Sequence, residues 1–317
     1  MILLSVFPNV PECHENISSL LADLGIEAID FGITADLKMV LILIGKPLGK
    51  PMFNCPFCNN KAPFSGLYDL YTLGDLYAWH QSYLDAGSPY HRQSDYQNIV
   101  KIPLLTGDPD RLVLDMVNPP ALHLLLGVIS KLIDSMESSV FDTKEEGEQW
   151  MDEFMRQQGI TRKRKQGRKG LEGNQSSKFL HRVDSLEFAF SQHGEVTMVK
   201  GAPYVDTLRA YLMVQASCMG ATLEPDYESS ISVFTDAYRA IPEISVTPKV
   251  HIIMDHLVDF YNIKGNEHGL SFYSEQSFEA VHYDFKECWK KYAVEPENPE
   301  FGNKLKSAVS AYVSSHI

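Results

Sequence analysis

Hydrophobic residues recur every three to four positions along most of this chain, which is the spacing of amphipathic helices. This pattern predicts helices over residues 15–24, 36–44, 115–136, 143–158, 179–190, 204–219 and 228–241, and one more that begins near residue 274. Two short apolar runs, at residues 2–7 and 26–33, instead predict buried strands. The order of strand, helix and strand at the beginning is typical of a parallel sheet unit.

Composition and charge narrow the class of protein. The chain has 317 residues, of which 44% are apolar and 22% charged, so it can fold around a large core. Its net charge of −13 argues against a general polyanion binder, since such proteins are usually basic. The longest apolar run, residues 39–44, is too short to cross a bilayer. Five scattered cysteines without a convincing secretory signal predict a reducing compartment and a protein that is not secreted.

Acidic residues mark two places where chemistry is expected. Asp36 follows the second predicted strand, and the carboxyl end of a sheet strand is a common position for catalytic groups. Asp36 also fits the N-cap of the next predicted helix, a role that needs no chemistry. Near the other end of the chain, Ser274 fits an N-cap, and the helix that it would begin places Glu275, Glu279 and His282 on one face.

A Cys-x-x-Cys pair, Cys55 and Cys58, lies in a loop rich in proline, glycine and asparagine. Such a pair is half of a zinc site, a redox pair or an accident of sequence. The redox interpretation requires the pair to open a helix, whereas a turn-like sequence follows it here. The zinc interpretation requires two more ligands, and the chain has no second Cys-x-x-Cys.

A His-x4-His pair, His251 and His256, offers the two missing ligands, since its spacing is one that closes Cys2His2 zinc sites. Two thiolates and two imidazoles suit tetrahedral zinc. The long separation between the two pairs predicts a long-range clamp rather than a zinc finger. The alternative is that the histidines lie on an ordinary helix and the thiols are free.

The acids are spaced symmetrically about these pairs. Asp36 lies 19 residues before Cys55, and Glu275 lies 19 residues after His256. If the cysteines meet the histidines, the chain can also bring Asp36 and Glu275 together. Two close carboxylates repel each other unless cations lie between them, as in two-metal phosphoryl transfer. Mg²⁺ or Mn²⁺ at the acids would then accompany zinc at the Cys-His site.

The order of acid, Cys-x-x-Cys, long helical segment, His-x4-His and acid resembles cut-and-paste DNA transposases of the D-D-E type, which have a split RNase H-like core. The resemblance extends to the catalytic subunit of the V(D)J recombinase and its transposon relatives. Besides the two ligand pairs, the stretches that carry it are residues 36–38, 119–123, 248–251 and 273–285.

The resemblance implies an α/β fold in which a partial RNase H-like core is interrupted by a large, mainly helical insertion. Residues 1–62 would be the first part of the core with the Cys-x-x-Cys loop. Residues 63–246 would be the insertion, and residues 247–317 the His-x4-His segment with the C-terminal core helices.

Carried over to this chain, Asp36 would be the second catalytic acid and Glu275 the third, with Glu279 as the alternative to Glu275. The resemblance also implies a structural zinc ion held by Cys55, Cys58, His251 and His256. Catalytic Mg²⁺ or Mn²⁺ would be held by the acids.

The resemblance further implies a nuclear or nucleocytoplasmic protein that binds DNA as a homodimer and has no contact with membranes. No residue here matches the family's first catalytic Asp, so an N-terminally truncated and inactive transposase relative is expected. The alternative function is a non-catalytic, zinc-stabilised module that binds DNA or protein. One basic cluster, residues 162–169, would contact phosphates, act as a nuclear address, or form a solvated loop.

Overall fold

The computed structural model describes residues 12–23, 32–48, 55–64, 66–165, 168–273, 284–295 and 297–316. These residues belong to two compact units. One lies within Met1–Glu27 and Glu275–Ile317, and the other within Ala28–Ser274. The predicted strand at 2–7, most of the predicted strand at 26–33, and Glu275, Glu279 and His282 lie outside the described residues.

Helices dominate the described part of the chain. In chain order they are α1 (His14–Asp23), α2 (Leu37–Leu43), α3 (Leu73–Asp85), α4 (Val113–Met116), α5 (Ala121–Ser139), α6 (Lys144–Gln157), α7 (Gly173–Leu180), α8 (Val183–His193), α9 (Glu195–Val214), α10 (Tyr227–Arg239), α11 (Pro248–His251), α12 (Leu257–Ile263) and α13 (Phe301–His316). Residues 284–289 are also helical. Two π-helical turns, Gln215–Met219 and Ile252–His256, follow α9 and α11, and 3₁₀ turns lie at Tyr90–Tyr96 and Leu270–Tyr273.

Two small sheets accompany the helices. Strands β1 (Ile33–Thr34) and β2 (Val117–Asn118) pair in parallel, with Ile33 opposite Val117 and Thr34 opposite Asn118. Strands β3 (Lys163–Lys165) and β4 (Arg168–Gly170) pair in antiparallel orientation. The large helical part of the predicted fold is therefore confirmed, whereas the RNase H-like core stays a prediction.

Proline decides where one predicted helix is interrupted. The pattern predicts a helix over residues 115–136, but α4 ends at Met116, strand β2 follows, and α5 begins at Ala121. Pro119 and Pro120 lie at this break. They interrupt the helix because proline cannot donate a backbone hydrogen bond and holds the residue before it in an extended conformation. The break produces the short strand that pairs with β1.

Helix α5 forms the centre of the Ala28–Ser274 unit, and α6, α7 and α11 pack against it. Helix α9 packs against α8 and α10. The buried face of α5 is aliphatic and includes Leu124, Val128, Ile129, Leu132 and Met136, all of which have no exposed surface. Burial of each such side chain stabilises the fold by about 2 kcal/mol, so α5 is a major source of stability.

Backbone hydrogen bonds hold residues 55–60, called the cysteine loop below, against the segment before α3. The Tyr71 amide donates to the Phe57 carbonyl at 2.9 Å, and the Asn59 amide donates to the Asp69 carbonyl at 3.2 Å. On the other side of this segment, the Val113 amide donates to the Tyr71 carbonyl at 2.8 Å. Tyr71 therefore connects the cysteine loop to the first residue of α4, which is buried in the core.

Gly45 ends the turn after α2 and approaches another backbone closely. Its φ is +79°, and a Cβ atom there would lie 2.2 Å from the Lys101 carbonyl oxygen. We expect Gly45→Ala to lower the free energy of unfolding by about 3 kcal/mol, because left-handed strain and a backbone clash add together. Urea denaturation would measure this loss.

The matched control is Gly87→Ala. Gly87 also has a positive φ, +77°, but nothing lies within 4 Å of the position that an added methyl group would take. Only the conformational cost of about 1 kcal/mol is expected there. Equal losses in the two variants would show that the contact with Lys101 has no part in the stability of this turn.

Candidate metal centre

Four buried side chains from the two ends of the Ala28–Ser274 unit meet in one place. One ligand atom from each of Cys55, Cys58, His251 and His256 lies within 4.8 Å of all the others. All four residues have no exposed surface. The Cys58 Sγ atom lies 3.3 Å from the His251 Nε2 atom, although 193 positions separate the residues in the chain. This group, called the Cys-His cluster below, could hold a metal ion.

A π-helical turn brings the two histidines to the same side. In an α-helix, residues five apart point in directions about 140° apart, so His251 and His256 would diverge. Here the turn Ile252–His256 replaces α-helical winding between α11 and α12. Because π-helical hydrogen bonds join residues five apart, the imidazole rings become neighbours, with centroids 4.6 Å apart.

Two aspartates orient the imidazoles towards the cluster. The His251 Nδ1 atom lies 2.6 Å from Asp255 Oδ2, and the His256 Nδ1 atom lies 3.4 Å from Asp259 Oδ2. With a proton on each Nδ1, the Nε2 lone pairs face the sulfur atoms. Such carboxylate–histidine pairs are the usual outer partners of metal-bound imidazoles.

Tyr68 connects the two aspartates. Its hydroxyl group lies 2.8 Å from the Asp255 carbonyl oxygen and 2.8 Å from Asp259 Oδ2. Burial of Asp259 favours its neutral form, but the hydrogen bonds from His256 and Tyr68 outweigh burial and lower the pKa of this carboxyl group. The ring of Phe64 stacks on His251 with centroids 4.4 Å apart, which fixes the imidazole plane.

The environment of the sulfur atoms favours one thiolate. The hydrogen bond from Cys55 and the closeness of the two imidazoles lower the pKa of Cys58, whereas burial raises the pKa of Cys55. Backbone amides point at both sulfurs: the Phe57 amide lies 3.3 Å from Cys55 Sγ, and the Asn60 amide lies 3.4 Å from Cys58 Sγ. Partly positive amide hydrogens stabilise negative sulfur.

A buried lysine supports the cysteine loop. Lys46 is 2% exposed, and its Nζ atom donates to the Cys55 carbonyl at 2.8 Å and lies 5.0 Å from the Tyr71 ring centroid. Burial lowers the pKa of Lys46 to about 8, although the neighbouring cysteines act in the opposite direction. The amine thus anchors the loop and balances negative charge on its sulfurs.

The donor set fits zinc. The His256 Nε2 atom is buried and has no hydrogen-bond partner among the described residues, which is costly unless it binds an ion. Tetrahedral zinc with bonds of about 2.0–2.3 Å places its ligand atoms about 3.3–3.8 Å apart. Since all four ligand atoms lie within 4.8 Å of one another, movements of about an ångström would complete the site. The buried cluster is compatible with structural zinc.

Asp36 caps a helix, as the alternative interpretation predicts. Its Oδ1 atom accepts a hydrogen bond from the Met39 amide at 2.7 Å at the beginning of α2. Lys249 on α11 is near enough for Asp36 to favour its charged form, although burial lowers the pKa of this lysine overall. Because Glu275 and Glu279 lie outside the described residues, the meeting of the acids and the catalytic Mg²⁺ or Mn²⁺ site stay predictions.

Three cations of the basic cluster form ion pairs with carboxylates of the same unit. Arg162 contacts Glu137 and lies 2.9 Å from Asp152 Oδ1, with only 7% of its side chain exposed. The Lys169 Nζ atom lies 2.6 Å from Asp152 Oδ2, and the Lys163 Nζ atom lies 2.8 Å from a Glu172 oxygen. Lys163 lies in β3 and Lys169 in β4, and each of these three cations contacts at least one carboxylate.

Sequence reasoning identified the four members of the Cys-His cluster but missed their outer partners. Asp255 lies four residues after His251, and Asp259 lies three residues after His256. This helical spacing brings side chains together, so it was a usable signal. No comparable signal marks Lys46 or Tyr68, because tertiary packing alone places them.

Comparison with known protein families and with curated proteins finds no match for this chain. None of the helices in the described ranges is both long and apolar enough to span a membrane.

Proposed function

We propose that the Cys-His cluster holds a structural zinc ion and that the chain is a transposase-related scaffold that binds DNA without cleaving it. The observation that carries this proposal is the meeting of the Cys55–Cys58 pair with the His251–His256 pair across a long helical segment. A zinc ion at this point would join the cysteine loop to α11 and to the π-helical turn that follows it. Structural zinc supplies folding free energy directly, so it would hold the two ends of the unit together.

Two further features support the relationship to D-D-E transposases. The order of acid, cysteine pair, helical segment and histidine pair is the order of that family, and β1, which pairs in parallel with β2, ends two residues before Asp36. Asp36 would hold Mg²⁺ or Mn²⁺ together with Glu275, or with Glu279 in its place. Only two of the family's three acids have counterparts in these 317 residues, so we propose binding rather than strand cleavage.

Two assays on the zinc-loaded chain test this function. Fluorescence polarisation with a random-sequence DNA duplex should show saturable binding that weakens as salt rises. Nicking of supercoiled plasmid with Mn²⁺ should stay at background, equal to that of Asp36→Asn. No duplex binding at low salt would overturn the DNA proposal, and nicking that Asp36→Asn abolishes would overturn the proposed lack of cleavage.

A protein-binding scaffold is the second candidate function. It is favoured by the net charge of −13 and by the internal ion pairs of Arg162, Lys163 and Lys169. Cations that are engaged with neighbouring carboxylates contribute less to phosphate binding. The same zinc site would then stabilise a platform for a protein partner.

The outer partners of the histidines give a prediction of their own. We expect Asp255→Ala to weaken zinc affinity by about 10- to 100-fold, because His251 loses the carboxylate that fixes its tautomer and orientation. Competition with a chromophoric zinc chelator would measure this change. Asp236→Ala, at an exposed position on α10, is the control and should leave the affinity unchanged. Equal affinities of the two variants would contradict the orienting role of Asp255.

A further inference from the structure

Asn118 is a buried polar residue with one unused acceptor atom. The residue ends β2 and is 4% exposed. Its Oδ1 atom is buried and has no hydrogen-bond partner among the described residues, as is also true of the His256 Nε2 atom in the Cys-His cluster. A buried amide oxygen without a partner is costly to the fold, so it indicates a place for a ligand. Neither the Cys-His cluster nor the capping of α2 by Asp36 uses this atom.

Thr34 decides which end of the Asn118 carboxamide is left over. The Thr34 hydroxyl group donates a hydrogen bond to the Tyr273 carbonyl oxygen at 2.9 Å, and a carbonyl oxygen can only accept. Because this bond uses the single hydroxyl proton, Thr34 Oγ1 can only accept from the Asn118 Nδ2 atom, which lies 3.0 Å away. The carboxamide therefore places its nitrogen on Thr34 and keeps its oxygen for another partner.

Asn118 and Asp36 lie at the same edge of the β1–β2 sheet. The two strands are parallel, Thr34 pairs with Asn118, and each is the last residue of its strand. Asp36 is also extended, with φ −66° and ψ 163°, and side chains two residues apart in an extended segment lie on one face. Since the Asn118 side chain contacts that of Thr34, all three residues share this face. The carboxyl edge of parallel strands is a common position for ligands.

The chemistry of this edge suits a hard cation. The Asp36 Oδ1 atom accepts from the Met39 amide, whereas its Oδ2 atom has no hydrogen-bond partner within the described ranges. Carboxylate and carboxamide oxygens are the ligands that Mg²⁺ and Mn²⁺ prefer. Mg²⁺ is usually bound through only one or two carboxylates and keeps several waters, so few protein oxygens are needed.

We propose that Asn118 Oδ1 is a ligand of the divalent cation at Asp36. This inference rests on the proposed Mg²⁺ or Mn²⁺ site and adds a protein oxygen to those of its acids. A carboxamide oxygen supplies an electron pair without the negative charge of a carboxylate, so it holds the ion more weakly than a further acid would. A weakly held ion agrees with a chain that binds DNA without cleaving it.

Electron paramagnetic resonance of free Mn²⁺, titrated into the zinc-loaded chain, tests the proposal. The dissociation constant should rise about tenfold or more in Asn118→Leu, which keeps the size of the side chain but removes the oxygen. It should fall about tenfold in Asn118→Asp, because a carboxylate attracts the cation more strongly. Asn174→Asp, at an exposed position on α7, is the matched control and should leave the constant unchanged.

Asp36→Asn separates this inference from the site on which it rests. Loss of Mn²⁺ binding in Asp36→Asn, with unchanged constants in both Asn118 variants, would overturn only the role of Asn118. Unchanged binding in Asp36→Asn, or no binding by the unaltered chain, would overturn the cation site and this inference with it. None of these outcomes depends on duplex binding, which is measured separately.

The two Asn118 variants together distinguish a ligand from a structural residue. A structural asparagine would give weaker Mn²⁺ binding in both variants, because a buried carboxylate without a cation only destabilises its surroundings. That result would assign Asn118 to the orientation of Thr34 and would overturn its role as a ligand. If Asn118→Leu does not fold, the direction of the change in Asn118→Asp decides between the two roles.

Discussion

His256→Ala is expected to lower the free energy of unfolding in zinc-containing buffer by at least about 4 kcal/mol. The variant removes one of four ligands, and structural zinc in small domains contributes apparent binding free energies of about 10–16 kcal/mol. It also leaves a cavity where a fully buried imidazole lay, so part of the loss is independent of metal. Urea denaturation followed by circular dichroism would measure the total.

A chelator separates the two contributions. When excess EDTA removes zinc, the free energy of unfolding of the unaltered chain should fall most of the way to that of His256→Ala. The difference that remains should equal the cost of the cavity. His91→Ala, at an exposed histidine, should change neither curve. If EDTA leaves the stability of the unaltered chain unchanged, the cluster contributes to folding without metal and the zinc proposal fails.

Arg162→Ala is expected to destabilise the chain by about 3–5 kcal/mol at neutral pH. Glu137 and Arg162 form an ion pair with side chains only 2% and 7% exposed. Removing one partner of a buried pair leaves the other charge buried without compensation. The arginine, which directly precedes β3, also lies 2.9 Å from Asp152, so the variant loses contacts to both α5 and α6.

The pH dependence of this deficit has a defined sign. Burial raises the pKa of Glu137 even with Arg162 beside it, and the loss of the arginine in the variant should raise this pKa further. The native carboxyl group then binds a proton at a pH at which the unfolded chain does not. The deficit should therefore shrink as the pH falls from neutral towards the ordinary pKa of glutamate.

The exposed pair of Arg92 and Asp95 provides the control. Their side chains are 69% and 47% exposed, so Arg92→Ala should leave the stability unchanged at every pH. A loss for Arg162→Ala that is equally small, or that does not diminish in acid, would show that the buried pair is not a source of stability.

The members of the Cys-His cluster could be predicted because metal ligation needs rare residue types at restricted spacings. The geometry that brings these members together could not be predicted. Five-residue spacing on an α-helix turns His251 away from His256, and nothing in the apolar pattern marks the π-helical turn that corrects this. The meeting of residues 193 positions apart likewise depends on the packing of every helix between them.

The helices were predictable to the extent that local signals define them. The helix predicted over residues 143–158 corresponds to α6, which Thr143 caps by accepting a hydrogen bond from the Glu146 amide at 3.1 Å. By contrast, the role of the basic cluster depends on which acids lie opposite it in the folded chain. Glu137 lies 25 positions before Arg162, and no local pattern links them. Charge along the sequence therefore does not reveal which cations are already neutralised.

The metal content of the purified chain tests the central claim most directly. Elemental analysis by inductively coupled plasma mass spectrometry should find about one zinc ion per chain, since four ligands define one tetrahedral site. The double variant Cys55→Ser/Cys58→Ser should retain almost none, whereas Cys288→Ser, in the other unit, should retain the full amount. Absence of zinc from the unaltered chain after exposure to Zn²⁺, or equal zinc in all three proteins, would contradict the assignment of the Cys-His cluster as a zinc site.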